Sequence, residues 1–147
     1  MKVEIKLQKD IAEPYAVIYT QKLTDDIQGI VDFIENSQSA GRVVTAMDED
    51  KIIVINTVDI YMVRVEDDKA VIYCRDKKYI SRKRLCELEK MLGHNFMRIS
   101  KTTMINLDYI SGVEPSFNGM MLLTMKNGCK DYISRRYLTA FKKYLGL

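Results

Sequence analysis

The sequence predicts a mostly β fold with short helices, preceded by a small β-β-α amino-terminal unit, and three observations predict it. From Arg42 onward, short apolar runs alternate with charged turns, among them Asp48-Glu49-Asp50, Asp67-Asp68-Lys69 and Asp76-Lys77. Short runs bounded by turn residues are strand signals. Two Asn-Gly steps, Asn118-Gly119 and Asn127-Gly128, separate the later runs, and Asn-Gly tolerates the positive φ that tight hairpins demand. Apolar residues at helical spacing are confined to three short stretches.

In chain order, Val3, Ile5 and Leu7 share one face of a strand over residues 2–7. After Pro14, the run Tyr15-Ala16-Val17-Ile18-Tyr19 reads as a second, more buried strand. Thr24 is placed to cap a helix carrying Ile27, Ile30, Val31 and Ile34. Asp25 and Asp26 sit in its first turn, where the helix dipole favours negative charge. Ser37-Gln38-Ser39-Ala40-Gly41 reads as the loop that closes this amino-terminal unit, residues 1–44.

The remainder, residues 45–147, is expected to form one β domain. The strand segments begin with Val43–Ala46, Lys51–Ile55, Ile60–Glu66, Ala70–Cys74 and Lys78–Ser81. A helix with Leu85, Leu88 and Leu92 on one stripe then stops at Gly93. Met97–Ser100, Tyr109–Glu114, Met120–Met125 and Cys129–Ile133 follow as strands. Ser134 opens a last helix bearing Leu138, Phe141 and Leu145.

With 147 residues, 47% of them hydrophobic, the chain can bury a core. No run approaches the roughly 18 apolar residues of a spanning helix, and the alternating amino terminus is unlike a signal peptide, so a cytoplasmic protein is expected. Cys74, Cys86 and Cys129 form no CxxC pair and His94 is the single histidine. No metal or other cofactor is therefore expected, and the thiols read as buried and inert. No phosphate-binding glycine loop or nucleophile motif accompanies His94, so no catalytic residue is assigned and the protein is expected not to be an enzyme. Charge divides unevenly. Residues 1–50 hold five Lys/Arg against ten Asp/Glu, a net of −5; residues 51–147 hold eighteen against ten, a net of +8, matching the total of +3. A basic remainder suits an anionic partner.

The most informative segment is Phe96 to Ile110, FMRISKTTMINLDYI. Arg98, Ser100, Lys101, Thr102 and Thr103 cluster at the end of a β segment, anchored by Phe96, Ile99, Met104, Ile105 and Leu107. Such donors suit phosphate and base-edge contacts, although periodicity alone favours an ordinary polar turn. The segment resembles the signature run of the LytTR DNA-binding family, with Phe96, Arg98, Ile99, Ser100, Thr102, Met104, Ile105, Asn106, Leu107 and Ile110 in place. Thr103 stands where that family more often has an apolar residue. The closing Tyr132-Ile133-Ser134-Arg135-Arg136-Tyr137-Leu138 and the hairpin before it extend the similarity to residues 45–147. The chain is also similar to stand-alone members, which carry a short amino-terminal extension.

The resemblance implies an elongated β domain of a bacterial transcription regulator, whose loops enter successive major grooves of double-stranded DNA. Carried onto this sequence, the base-reading positions are Lys69 (with Asp68 or Ala70 as register alternatives), Lys101 and Arg136. Arginine can bond guanine O6 and N7 together, which suits Arg136 to direct readout; Lys101 is open to base or phosphate. Arg98, Ser100, Thr102, Ser134 and Arg135 are placed as phosphate donors, with an internal ion pair as the competing role for Arg98. A homodimer, or two protomers on adjacent repeats, is expected. No phosphoacceptor constellation precedes the β region, so direct control by phosphorylation is not expected. The resemblance allows control by a partner protein, including a membrane-bound one. The reading from another class is a protein-interaction module, an anti-activator working through the acidic amino-terminal unit.

Overall fold

The computed structural model describes residues 1–12, 14–39 and 43–147, and the side-chain surroundings of all of these except 36–39. Helix α1 (Asp25–Ser39) begins where expected: the Thr24 hydroxyl accepts the Ile27 N–H at 3.4 Å and the Thr24 carbonyl accepts the Gln28 N–H. It runs through Ser37–Ser39, which the sequence reading placed in a loop; Ala40 and Gly41 of that loop lie outside the described residues.

Ten strands follow: β1 (Val43–Asp48), β2 (Lys51–Asn56), β3 (Met62–Glu66), β4 (Lys69–Tyr73), β5 (Lys78–Ser81), β6 (Phe96–Arg98), β7 (Thr103–Asn106), β8 (Ile110–Pro115), β9 (Met121–Met125) and β10 (Lys130–Ile133). Helix α2 (Leu85–Leu92) lies between β5 and β6, and α3 (Arg135–Leu145) closes the chain. The first seven strands form one antiparallel sheet in the order β2-β1-β5-β4-β3-β7-β6, and the last three form a second in the order β10-β9-β8. The mostly β class is as expected.

Cross-strand pairs point to one face, so the register sorts the large sheet's side chains into two layers. Val44, Ile55, Ile72, Val63 and Met104 face α2 and pack on its stripe of Leu85, Leu88 and Leu92. Met62 and Ile105 face the other way, into a second core made with Ile99, Leu123, Met125, Ile133 and Phe141. One sheet therefore separates two cores. β7 was absent from the periodicity reading because all four of its residues are buried, which erases alternation.

The two amino-terminal strands do not form. Residues 1–12 and 14–23 contain no sheet pairing among those described, and Val3, Ile5, Leu7, Tyr15, Val17 and Tyr19 are exposed. The expected buried Tyr15–Tyr19 strand is thus not formed, and no neighbouring strand meets its backbone among the described residues.

Candidate nucleic-acid interface

Strand direction decides which loops meet. β4 starts at Lys69, β5 ends at Ser81, β3 ends at Glu66 and β7 starts at Thr103, and their pairings put all four points at the same end of the sheet. At about 4.8 Å per strand, the loop after β5 lies about 14 Å along that end from the loop before β7. The start of α3 joins this end through the Ser134 N–H, which donates to the Ile99 carbonyl at 2.9 Å. The Val65 N–H donates to Thr102 O at 2.8 Å and ties β3 to the same loop.

Each loop has a local cause. Asp67 and Asp68 both take positive φ, 48° and 62°, in the two-residue turn between β3 and β4. Asp is one of the few side chains that accept this region, which accounts for two carboxylates beside Lys69. In the loop before β7, Ser100 Oγ accepts the Thr102 N–H at 3.2 Å and closes a tight turn, leaving Lys101 at its tip. Arg98 holds that tip from beneath. Its Nε bonds Glu89 of α2 at 3.0 Å and its guanidinium donates to the Lys101 carbonyl at 2.7 Å. Of the two roles open to Arg98, the internal ion pair is formed.

Ser134 occupies the N-cap position of α3, and no side-chain cap bond is made there. Arg135 and Arg136 follow on the exposed first turn. The Arg136 guanidinium lies 5.7 Å from the centre of the Tyr137 ring, and that ring packs against the second core. Gly119, at φ +71°, abuts Arg135, since a Cβ there would stand 3.3 Å from Arg135 Cδ. Asn118 also has positive φ, as the Asn-Gly signal led one to expect.

Lys69, Lys101 and Arg136 are all exposed, as are Arg135 and Thr102; Ser100 and Ser134 are half-buried. Sequence reading passed over three further exposed bases at this end, Arg82, Lys83 and Arg84, which border a cleft of about 650 Å³ together with Lys69, Asp68 and Glu49. A signal was available. Arg84 is the N-cap of α2, and a helix amino terminus repels cations, so a run of three bases there works against the local electrostatics. The Glu87 carboxylate, accepting the Arg84 N–H at 2.7 Å, relieves part of that repulsion. Among the described residues, none of the seven bases Lys69, Arg82, Lys83, Arg84, Lys101, Arg135 and Arg136 forms an ion pair.

Behind this surface lies a polar network that sequence reading did not find. Arg64 bonds Glu66 at 2.7 Å and Tyr73 at 2.9 Å, and approaches Asp131 of β10 at 3.7 Å. Thr103 donates to the same Asp131, and Tyr73 donates to Glu66. The Tyr73 hydrogen bond holds the Glu66 carboxyl below its ordinary value against burial, with Arg64 adding to the effect. Burial pushes the Tyr73 phenol up.

The thiols are not uniformly buried. Cys74 and Cys129 are half-buried, while Cys86 is exposed on α2. Burial, reinforced by Asp59, pushes Cys74 up to about 11, and burial also raises Cys129, so both stay protonated near neutrality. His94 is exposed, with Phe33 of α1 at 4.6 Å between ring centres. Among the described residues no cluster of His, Cys, Asp and Glu could hold a metal ion, and no helix is long and apolar enough to cross a membrane.

Comparison with known proteins bears on the family of the chain. A family model described as the LytTr DNA-binding domain matches residues 50–146. A protein of Staphylococcus aureus strain NCTC 8325, named as an uncharacterized HTH-type transcriptional regulator, is 29% identical over 147 residues, covering 100% of this chain and 99% of its own length. A counterpart from the bovine strain RF122 is likewise 29% identical, with the same coverage. Among solved structures, the LytTr DNA-binding domain of a Bacillus cereus protein superposes with a TM-score of 0.67 at 25% identity, covering 72% of this chain and 98% of that one. In this chain strands separate every pair of helices among the described residues, so no helix-turn-helix is formed by two consecutive helices.

Proposed function

Because the chain belongs to the LytTR DNA-binding domain family, we propose that it is a sequence-specific transcription regulator reading successive major grooves of double-stranded DNA. The observation that carries the reading is the set of exposed, ion-pair-free bases at one end of the sheet, on segments joined by backbone hydrogen bonds. Cations without internal partners are available to neutralise phosphates, and each phosphate neutralised releases counterions. Fixed mutual placement is what a register-sensitive contact requires.

Within this reading Arg136 and Lys101 address base edges, and Lys69 addresses the groove nearest the β3–β4 turn. Ser100, Thr102, Ser134 and Arg135 hold phosphates. Arg98 acts through the loop that it supports. Two protomers occupy paired half-sites, the action is cytoplasmic, and no catalysis is involved. A regulatory protein partner, membrane-bound or free, would act on this DNA-binding step.

The decisive experiment is selection of bound fragments from a random duplex library by the purified chain, followed by binding measured across a salt series. A defined motif should emerge, with log K falling steeply and linearly against log salt. Arg136→Ala should cost about 1–3 kcal/mol and relax preference at one base position. Absence of any enriched motif overturns the proposal, and a uniform loss for all sequences in that variant overturns the role of Arg136.

A further inference from the structure

The amino-terminal residues raise a problem that a single copy does not solve. Among the described residues, every buried core residue lies at Val44 or beyond. Residues 1–39 nevertheless carry Val3, Ile5, Leu7, Tyr15, Val17, Tyr19, Leu23 and Phe33, each between 54% and 95% exposed. Large apolar surfaces left open on a soluble domain mark an interaction site.

Their arrangement is ordered. Val3, Ile5 and Leu7 alternate with Lys2, Glu4 and Lys6, while Tyr15-Ala16-Val17-Ile18-Tyr19 is a continuous apolar run. The first is the pattern of a strand with one apolar face and the second that of a strand apolar on both faces, yet neither has a hydrogen-bonding partner strand among the described residues. Immediately after them, α1 presents Ile27, Ile30 and Val31 at helical spacing, all only half-buried.

We propose that residues 1–39 are a self-association unit whose occupant is the same unit of a second copy. Two strands from each copy would make a four-stranded sheet, and the two α1 helices would cover its apolar face. A lone two-stranded ribbon is marginal in water, whereas four strands packed under helices are not. At roughly 100 Å² per side chain, the eight exposed apolar residues supply about 800 Å² per copy, the contribution of each partner to a standard protein interface. Charge fixes the arrangement further. Asp25, Asp26, Asp32 and Glu35 make α1 acidic, so the helices lie side by side on the sheet with their carboxylates outward. The acidic pair stays away from DNA, which leaves the basic end of each domain free. This inference stands apart from the DNA reading and can succeed or fail without it.

The test is sedimentation equilibrium of the full chain, wild type and the variants Ile5→Lys and Val17→Lys. Both side chains are exposed in one copy, so the melting of the β domain should be unchanged. Wild type should be a dimer, and each variant should weaken dimerisation by roughly thirtyfold or more. Lys69→Ala, at the other surface, should dimerise as wild type does. A monomeric wild type overturns the proposal, as does a dimer that survives both substitutions. Slow amide exchange over residues 2–7 and 15–19 in a monomeric sample would show the unit folding onto its own domain and would overturn it too.

Discussion

Arg98 and Arg136 flank the same loop, and their guanidinium groups have different fates. Arg98 is satisfied inside the molecule, by Glu89 and the Lys101 carbonyl. Arg136 rests beside Tyr137 with no carboxylate partner among the described residues. Their alanine variants should therefore separate. Arg98→Ala removes two charge-assisted hydrogen bonds and should lower stability by about 1–2 kcal/mol in urea melts, while weakening DNA binding alike for matched and mismatched sites. Arg136→Ala should leave the melt unchanged and alter selectivity. An Arg98 variant with unchanged stability would mean that the ion pair is too exposed to matter. The sequence left this arginine with two roles because Glu89, nine positions away on another element, becomes its neighbour only through the fold.

At the scale of elements, α2, α3 and most strands were legible because each buries one face and leaves the other wet, which writes a period into the chain; α1 carries the same period with Ile27, Ile30 and Val31 only half-buried. The exceptions have physical causes. β7 is covered on both sides and loses its alternation, and the strand pattern of residues 2–7 and 15–19 meets no partner within this copy. The basic run before α2 was legible in principle, as cations placed where a helix dipole disfavours them. Its contribution can be measured: Arg82→Ala with Lys83→Ala should reduce the slope of log K against log salt by about 2 and leave base preference intact. An unchanged slope would assign these residues to solvent. The acidic Asp67-Asp68 pair needs no partner to explain it, since positive φ at both positions accounts for the choice of side chain.

Across the whole molecule, one sheet serves two cores, and the Arg64 network joins the two sheets through Asp131. None of this was readable from the chain, because its members are separated by as many as 67 positions, from Arg64 to Asp131. The network has a pH signature. Glu66 is held below its ordinary value of 4.5 in the fold, so its stabilising contribution is complete above about pH 4.5 and disappears as pH falls through the lower folded value. Urea melts between about pH 5 and pH 3 should show wild type losing stability faster than Glu66→Gln; parallel losses would place the acid sensitivity elsewhere. The amide of Ser134 clasping the carbonyl of Ile99 has a consequence of another kind. Under the proposed DNA contacts of Lys101 and Arg136, this peptide-to-peptide link would set the separation between the two contacting segments. A duplex lengthened by one base pair between their targets shifts the far half by about 3.4 Å along each strand. Such a ruler cannot stretch to follow it, so the molecule would discriminate by spacing as well as by letters.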